Sequence, residues 1–126
     1  MKSPVSNEPM LVLELAGVEV DYCPFTKGIW LDAGELEALY EDKSATDSLL
    51  SSFSVDENSR EKRVRCPICR KKMEKVLVDD KILIDRCESG HGLWFDEGEL
   101  MEVLKLRKEG GTEKVVTLLK EMFKTI

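Results

Sequence analysis

The chain has 126 residues, is 42% hydrophobic and 35% charged, and carries a formal net charge of -6 with four cysteines. This length suits one domain or two very small ones of about 40 residues each, a size at which a metal or disulfides are usually needed to supplement the core. We find no signal peptide, and the apolar run at residues 10–20 is too short and too interrupted to span a bilayer, so we expect a cytoplasmic protein without a membrane partner.

The first predicted element is a β-hairpin, with strands at residues 10–15 and 18–22 around a tight Ala16-Gly17 turn. A helix follows, for which Asp32 is an acceptable N-cap, and Glu35 has the spacing to accept a hydrogen bond from the amide of the cap residue. The apolar face of this helix, formed by Leu36, Leu39 and Tyr40, should cover the hairpin. Residues 41–63 are rich in serine and charge and indicate a linker, which could include a short helical turn.

The second half repeats this order. A hairpin is predicted at residues 76–78 and 82–84, and then a helix with Asp96 as N-cap and Glu99 three residues later. Its apolar face consists of Leu100, Val103 and Leu104. A last amphipathic helix should follow Gly110-Gly111, packed between the repeats or against another chain, so that a homo-oligomer could form through it. Its apolar stripe comprises Val115, Val116, Leu118, Leu119, Met122 and Phe123. We expect no equivalent of this helix in the first half.

An internal repeat underlies this parallel. The segment Trp30-Leu-Asp32-Ala-Gly34-Glu35-Leu36 returns 64 residues later as Trp94-Phe-Asp96-Glu-Gly98-Glu99-Leu100. Nearer the start of each copy the offset becomes 63, which one residue inserted in the second hairpin explains. We therefore predict a first repeat at residues 1–40, a linker at 41–63, a second repeat at 64–109 and a C-terminal helix at 112–126.

Metal ligands accompany only the second copy. Cys66-Pro-Ile-Cys69 is followed after 17 residues by Cys87-x3-His91, and two close pairs of ligands separated by a hairpin are typical of a zinc ribbon. Because these four residues complete a tetrahedron, the spacing predicts one structural zinc ion per chain with no place for substrate. The alternatives are that His91 is an ordinary turn residue, that Cys23 supplies the fourth ligand, and that Cys66 and Cys69 form a disulfide or a thioredoxin-like pair.

The corresponding positions of the first copy are Ser3, Ser6, Cys23 and Lys27, with Thr26 beside the last. No metal follows from that set, since a neutral hydroxyl is a poor zinc ligand beside a thiolate. One hypothesis is that the Lys27 ammonium replaces the lost cation by bonding to the hydroxyls. The alternative is that it points into solvent, as lysines usually do.

Two further features have competing interpretations. Trp30 and Trp94 could stack on a ligand, although packing against the hairpins explains them as well. The paired carboxylates beside them, on Asp32 with Glu35 and on Asp96 with Glu99, could suggest catalysis, but helix capping accounts for them.

The motif Cys66-Pro-Ile-Cys69, then Cys87, Gly90-His91-Gly92 and the Trp94-x-Asp96-x-Gly98-Glu99-Leu100 tail, resembles the transcription-factor zinc-finger family of small bacterial proteins (zf-TFIIB). The resemblance covers residues 65 to about 104 and, more weakly, 2–40. It implies a zinc ribbon related in shape to that of a general transcription initiation factor. We therefore expect a small α+β fold of two hairpin-plus-helix repeats, the second one zinc-bound, with an extra C-terminal helix. The first repeat departs from the family pattern at Ser3, Ser6 and Thr26.

For function, the sequence favours a non-enzymatic zinc protein that binds a protein partner and has no evident small-molecule substrate. The alternative is nucleic-acid binding through a basic patch near residues 60–75. Its members are Arg60, Lys62, Arg63, Arg65, Arg70, Lys71, Lys72 and Lys75. The overall acidity, concentrated in residues 1–63 with 13 Asp/Glu against 6 Lys/Arg, argues against that alternative. A third, weaker possibility is a thiol redox protein that uses Cys23, with Lys27 as its activator.

Overall fold

One antiparallel sheet of seven strands carries both repeats in the computed structural model, which describes residues 1–107 and 110–124 and, of residues 123 and 124, the backbone only. In chain order the elements are β1 (Leu11–Leu15), β2 (Val18–Tyr22), β3 (Ile29–Asp32), α1 (Glu35–Ala38), α2 (Lys43–Ser51), β4 (Phe53–Val55), β5 (Glu74–Val78), β6 (Ile82–Arg86), β7 (Gly92–Phe95), α3 (Glu99–Lys105) and α4 (Glu113–Lys124). The strand order is β1-β2-β3-β7-β6-β5-β4. The fold is thus a small α+β fold, as predicted.

The two repeats meet at the centre of the sheet, where β3 pairs with β7 and Trp30 stands opposite Trp94. Each tryptophan faces its own equivalent, so a local twofold axis relates the repeats. Both indole rings are 0% exposed, which supports packing rather than ligand stacking. A Cβ atom at Gly28 would overlap the Trp94 ring, and one at Gly92 would lie 2.7 Å from the Trp30 ring. Each repeat therefore keeps a glycine where the tryptophan of the other repeat packs.

The two hairpins differ by one residue, as predicted. The first turn consists of Ala16 and Gly17, both with positive φ, as a two-residue turn of type I′ requires. The second turn holds three residues, 79–81, and Lys81 N donates to the Val78 carbonyl at 3.0 Å. The additional residue explains why the offset between the repeats changes from 63 to 64.

The helices cover one face of the sheet and build the main core. The predicted apolar faces of both helices, Leu36, Leu39 and Tyr40 and then Leu100, Val103 and Leu104, are buried there. α4 packs on α3, and its residues Val115 and Leu119 join the same core. The side chain of Phe123, predicted in the α4 stripe, lies outside the described residues, as do 108, 109, 125 and 126. In the described ranges no helix has the length and apolarity that crossing a membrane requires.

Residues 41–63 differ from the linker that we predicted, because they contain α2 and β4. Asp42 caps α2 by accepting hydrogen bonds from the amides of Ser44 and Ala45, and Leu49 is buried in the core. β4 then pairs with β5 at the edge of the sheet. Since α2 follows α1 as α4 follows α3, the prediction that the first repeat lacks a second helix was wrong.

The start of α1 also differs from prediction. Gly34, with φ 89°, occupies the N-cap position, and Asp32 makes no capping bond. The Asp32 carboxylate instead accepts a hydrogen bond from Trp30 Nε1 at 2.8 Å. The reciprocal bond is confirmed, since the Asp32 amide donates to Glu35 Oε1 at 2.6 Å. The second repeat has the same arrangement at Trp94, Asp96, Gly98 and Glu99. The aspartates therefore orient the tryptophans rather than cap the helices.

Candidate metal centre

Two tight turns bring the four predicted ligands together. In the first of them the amide of Arg70, whose φ is 67°, donates to the Cys66 carbonyl at 2.9 Å, and the amide of Ile68 donates to Cys66 Sγ at 3.4 Å. The second turn joins β6 to β7 and holds Cys87 and His91. Because β5 and β6 form a hairpin, the two turns lie side by side at one end of the sheet.

The distances between the ligand atoms fit a tetrahedral zinc ion. The three sulfurs and the imidazole nitrogen all lie within 4.8 Å of one another. Cys69 Sγ is 3.7 Å from Cys87 Sγ, which is itself 3.4 Å from His91 Nδ1, and that nitrogen is 4.0 Å from Cys66 Sγ. Standard zinc bonds place tetrahedral ligands about 3.8 Å apart for two sulfurs and about 3.6 Å apart for sulfur and nitrogen. Among the described residues, this is the one such group.

Polar groups around Cys87 favour the thiolate that a metal requires, whereas burial of Cys66 favours its neutral thiol until a metal binds. Burial alone would raise the pKa of Cys87, but the amides of His91 and Ser89, the imidazole of His91 and the thiol of Cys69 lower it to about 6. The pKa of Cys66 is raised to about 11, mainly by burial. Both cysteines of the first pair are free, so they form no disulfide. The donor set is that of a structural zinc site.

A buried ion pair lies on the strands beside the centre. Lys75 Nζ is 2.7 Å from Asp85 Oδ1 and 3.5 Å from a carboxylate oxygen of Glu61. Only 6% of Lys75 and 1% of Asp85 are exposed. Burial raises the pKa of Asp85, and Lys75 opposes that rise. Lys75 was therefore wrongly included in the surface basic patch, since its ammonium is used inside the protein.

The first repeat forms the same kind of turn without the ligands. The amide of Asn7, whose φ is 62°, donates to the Ser3 carbonyl at 3.0 Å, as the amide of Arg70 does to Cys66. At the other turn the amide of Lys27, whose φ is 63°, donates to the Cys23 carbonyl at 2.8 Å. Both turns therefore follow the geometry of residues 66–70.

This geometry changes the equivalence that we predicted between Lys27 and His91. In a turn of the 66–70 type, the second ligand precedes the residue with positive φ, so the fourth position of the first repeat is Thr26. The turn at Cys87 closes one residue earlier, through a 3.0 Å bond from the amide of Gly90, and His91 follows that glycine. Counting residues does not reveal this difference, because Cys23 and Gly28 are as far apart in the chain as Cys87 and Gly92.

Hydroxyl groups converge on the Cys23 sulfur. Ser6 Oγ lies 3.4 Å from Cys23 Sγ, and the amide of Thr26 donates to the same sulfur at 3.4 Å. Burial tends to raise the pKa of Cys23, but hydrogen bonds from Ser6, Thr26 and Ser3 lower it to about 7. In the described part of the chain no hydrogen bond joins Lys27 to either serine. The hydroxyls, rather than an ammonium, thus replace the metal as partners of the thiol.

Comparison with known proteins adds a family match. The model of the transcription factor zinc-finger family matches residues 4–42 and 65–106, which together exceed half of the chain. The match includes the copy that lacks ligands. No curated protein and no solved structure matches the chain. With the four converging ligands, the match establishes one zinc ion per chain.

Proposed function

The chain belongs to the transcription factor zinc-finger family, and we propose that it is a non-catalytic module that binds another protein, in a transcription-related role in the cytoplasm. The closed metal centre supports this proposal, because protein ligands occupy all four positions and leave none for water or substrate. In this proposal zinc makes the second repeat rigid, and the first repeat provides the binding surface.

The proposal depends most on the unequal exposure of large apolar side chains in the two repeats. Among the described residues eight large hydrophobic side chains are exposed, and five of them belong to the first repeat. These five are Met1, Val5, Leu11, Val12 and Phe25. Phe25 is 67% exposed at the tip of the Cys23 turn, whereas at the turn tips of the second repeat, as far as the structure describes it, Ile68 is the one large apolar side chain exposed. This excess of exposed apolar side chains favours the first repeat as the side of the molecule that a protein partner contacts.

A matched pair of variants tests the proposal. Zinc-loaded chain is used to capture proteins from a lysate, and each captured protein is then purified and titrated by calorimetry. We expect Phe25→Ser to weaken binding at least tenfold and Ile68→Ser to change it less than twofold, with one zinc per chain retained in both. Partners that bind both variants like the wild type would overturn the assignment of the surface.

A second function, nucleic-acid binding, is favoured by a basic cleft of about 400 Å³ between the two repeats. Its cationic lining consists of Lys62, Arg63, Arg65, Arg70 and Lys72. Two of the guanidinium groups are already engaged, since Arg63 donates to the Met73 carbonyl at 2.7 Å and Arg65 to the Arg70 carbonyl at 3.0 Å. Titration of labelled RNA or DNA across salt concentrations tests this function, because phosphate contacts make affinity fall steeply with salt.

The redox alternative rests on Cys23 and its lowered pKa. Its sulfur is 0% exposed, which restricts access by any oxidant. A redox role requires rapid alkylation of Cys23 by iodoacetamide in the folded, zinc-loaded protein near neutral pH. Slow alkylation, comparable with that of a buried thiol, would remove this alternative.

A further inference from the structure

The two repeats differ at the outer edges of the sheet, because an additional strand covers the edge of the second repeat and not that of the first. In the second repeat β4 covers the edge of β5, with Val55 opposite Val76, and the amide of Asp56 donates to the Lys75 carbonyl at 2.9 Å. In the first repeat β1 is the corresponding strand. It pairs with β2 and, in the part of the chain that the structure describes, with no other strand.

Val12 is the counterpart of Lys75 on this open edge, because Val12 pairs with Asp21 in the register in which Lys75 pairs with Asp85. The carbonyl of Lys75 faces outward toward β4. In an antiparallel strand the amide and carbonyl of one residue face the same side, so both backbone groups of Val12 face the open edge. Val12 is 64% exposed. The first repeat thus presents backbone groups for one more strand.

The first repeat also lacks the ion pair that the second repeat forms at this position. Asp85 has the Lys75 ammonium, but among the described residues no cation lies within ion-pair distance of its counterpart Asp21. The hairpin of residues 11–22 contains Glu14, Glu19 and Asp21 and neither lysine nor arginine. Burial raises the pKa of Asp21, the carboxylates of Asp32 and Glu19 add to that rise, and the Met1 amino group opposes it. This edge therefore favours a cation from outside.

We propose, as a deepening of the protein-binding function above, that the β1 edge docks an extended segment of the partner protein, which pairs antiparallel with β1 and places a lysine or arginine opposite Val12. Main-chain hydrogen bonds would supply affinity, as in other strand additions, and the carboxylates of Glu14, Glu19 and Asp21 would select a basic segment. A second copy of this chain is a poorer occupant, because its own β1 brings the same carboxylates to the contact.

The experiment uses a synthetic peptide that copies residues 51–58 with D56K and E57K, so that a lysine stands opposite Val12 in the register of β4. It is titrated by calorimetry into the zinc-loaded full chain. We expect saturable binding and slowed hydrogen exchange of the Val12 amide. The unsubstituted acidic peptide, and the basic peptide carrying S54P, should each bind at least tenfold more weakly.

Two variants of the chain separate the contributions of backbone and charge. Val12→Pro removes the outward amide at an edge position where proline is tolerated, and should lower affinity at least tenfold. Val12→Lys restores the ion pair of the second repeat within the chain, and should lower affinity for the basic peptide while it preserves the fold. Val12→Thr keeps the backbone amide and adds no charge, so it should bind like the wild type.

Three results would overturn this inference: equal binding by Val12→Lys and the wild type, equal binding of the acidic and basic peptides, or no binding at millimolar peptide. If the chain self-associates and Val12→Pro abolishes this, the edge binds a second copy of the chain, which would also overturn the inference. If a partner sensitive to Phe25→Ser is found while the peptide does not bind, the inference fails and the protein-binding function stands. If neither binds, both fail.

Discussion

The two pairs of turns share one backbone and differ in chemistry. The turns of the second repeat bring three thiols and an imidazole together, whereas those of the first bring together one thiol and the hydroxyls of Ser3, Ser6 and Thr26. Positive-φ residues and backbone hydrogen bonds shape the turns in both repeats. These turns can therefore form without a metal where their inward groups donate hydrogen bonds to one another. Three thiolates have no hydrogen to donate and repel one another, so the second repeat needs a cation.

The largest expected effect is the loss of zinc from the second repeat. Cys66→Ser should reduce the zinc content from one ion per chain to none and unfold this repeat, because the apparent binding energy of structural zinc, roughly 10–16 kcal/mol, is largely folding energy. Metal analysis and circular dichroism measure both changes. Cys23→Ser is the matched control, and it should retain one zinc. Loss of zinc in both variants would contradict the asymmetry.

The converse experiment adds a metal to the first repeat. Because its turns already have the required geometry, Ser3→Cys, Ser6→Cys and Thr26→Cys together should complete a four-cysteine site with Cys23 and raise the zinc content to two ions per chain. In the matched control Lys27→Cys replaces Thr26→Cys, and we expect no second tightly bound ion. Two ions in the control and one in the first variant would restore Lys27 as the fourth position.

A smaller effect tests how the repeats depend on each other. Gly28→Ala changes the first repeat but forces a methyl group against Trp94 of the second. We expect a loss of about 1–3 kcal/mol in the free energy of unfolding of the zinc-loaded protein, as for other overpacked cores. Urea denaturation followed by tryptophan fluorescence measures it, with Gly92→Ala as the reciprocal variant. Unchanged stability in both would show that the repeats do not interlock.

The smallest effect is a pH dependence that differs between the repeats. Burial raises the pKa of Glu99 to about 7. The negative charges of Asp96, Asp85 and Glu61 add to the rise, and the hydrogen bond from the Asp96 amide opposes it. The contribution of this group to stability is therefore full below its unfolded pKa of about 4.5 and is lost as pH rises through 7.

Zinc-saturated wild type should accordingly lose stability between about pH 4.5 and 7, and Glu99→Gln should flatten that profile. The pKa of the counterpart Glu35 is also raised, chiefly by burial, and Glu35→Gln serves as the comparison with the smaller effect. Thermal unfolding across this pH range measures both variants. An unchanged slope in Glu99→Gln would assign the pH dependence to other groups.

Local patterns were enough to predict much of this molecule from sequence. Alternation identified both hairpins, and helical spacing identified the buried faces at Leu36 and Leu100. The ligand set followed from the spacing of Cys66, Cys69, Cys87 and His91, which the structure brings within metal-binding distance. These features depend on residues that lie near one another in the chain or on either side of one hairpin.

The features that were missed depend on distant contacts or on backbone conformation. β4 has only three residues, so no alternation could indicate it, and it forms because β5 offers an edge. Pairing of Trp30 with Trp94 joins positions 64 residues apart. Residue counting does not identify Thr26 as the fourth position of the first repeat, because it does not reveal which residue has positive φ. The sequence alone places Lys75 on the surface, because composition does not show that Asp85 stands opposite it on β6.

The reciprocal contact of Trp30 and Trp94 makes this chain equivalent to a dimer in a single polypeptide. An isologous interface normally joins identical subunits, so each substitution appears on both sides of the axis. Here the two sides are encoded separately. A change in Ser3 or Val12 therefore leaves Cys66 and Lys75 untouched, and the molecule can combine one metal-stabilised half with one half that is free to change its surface, while both share a single core.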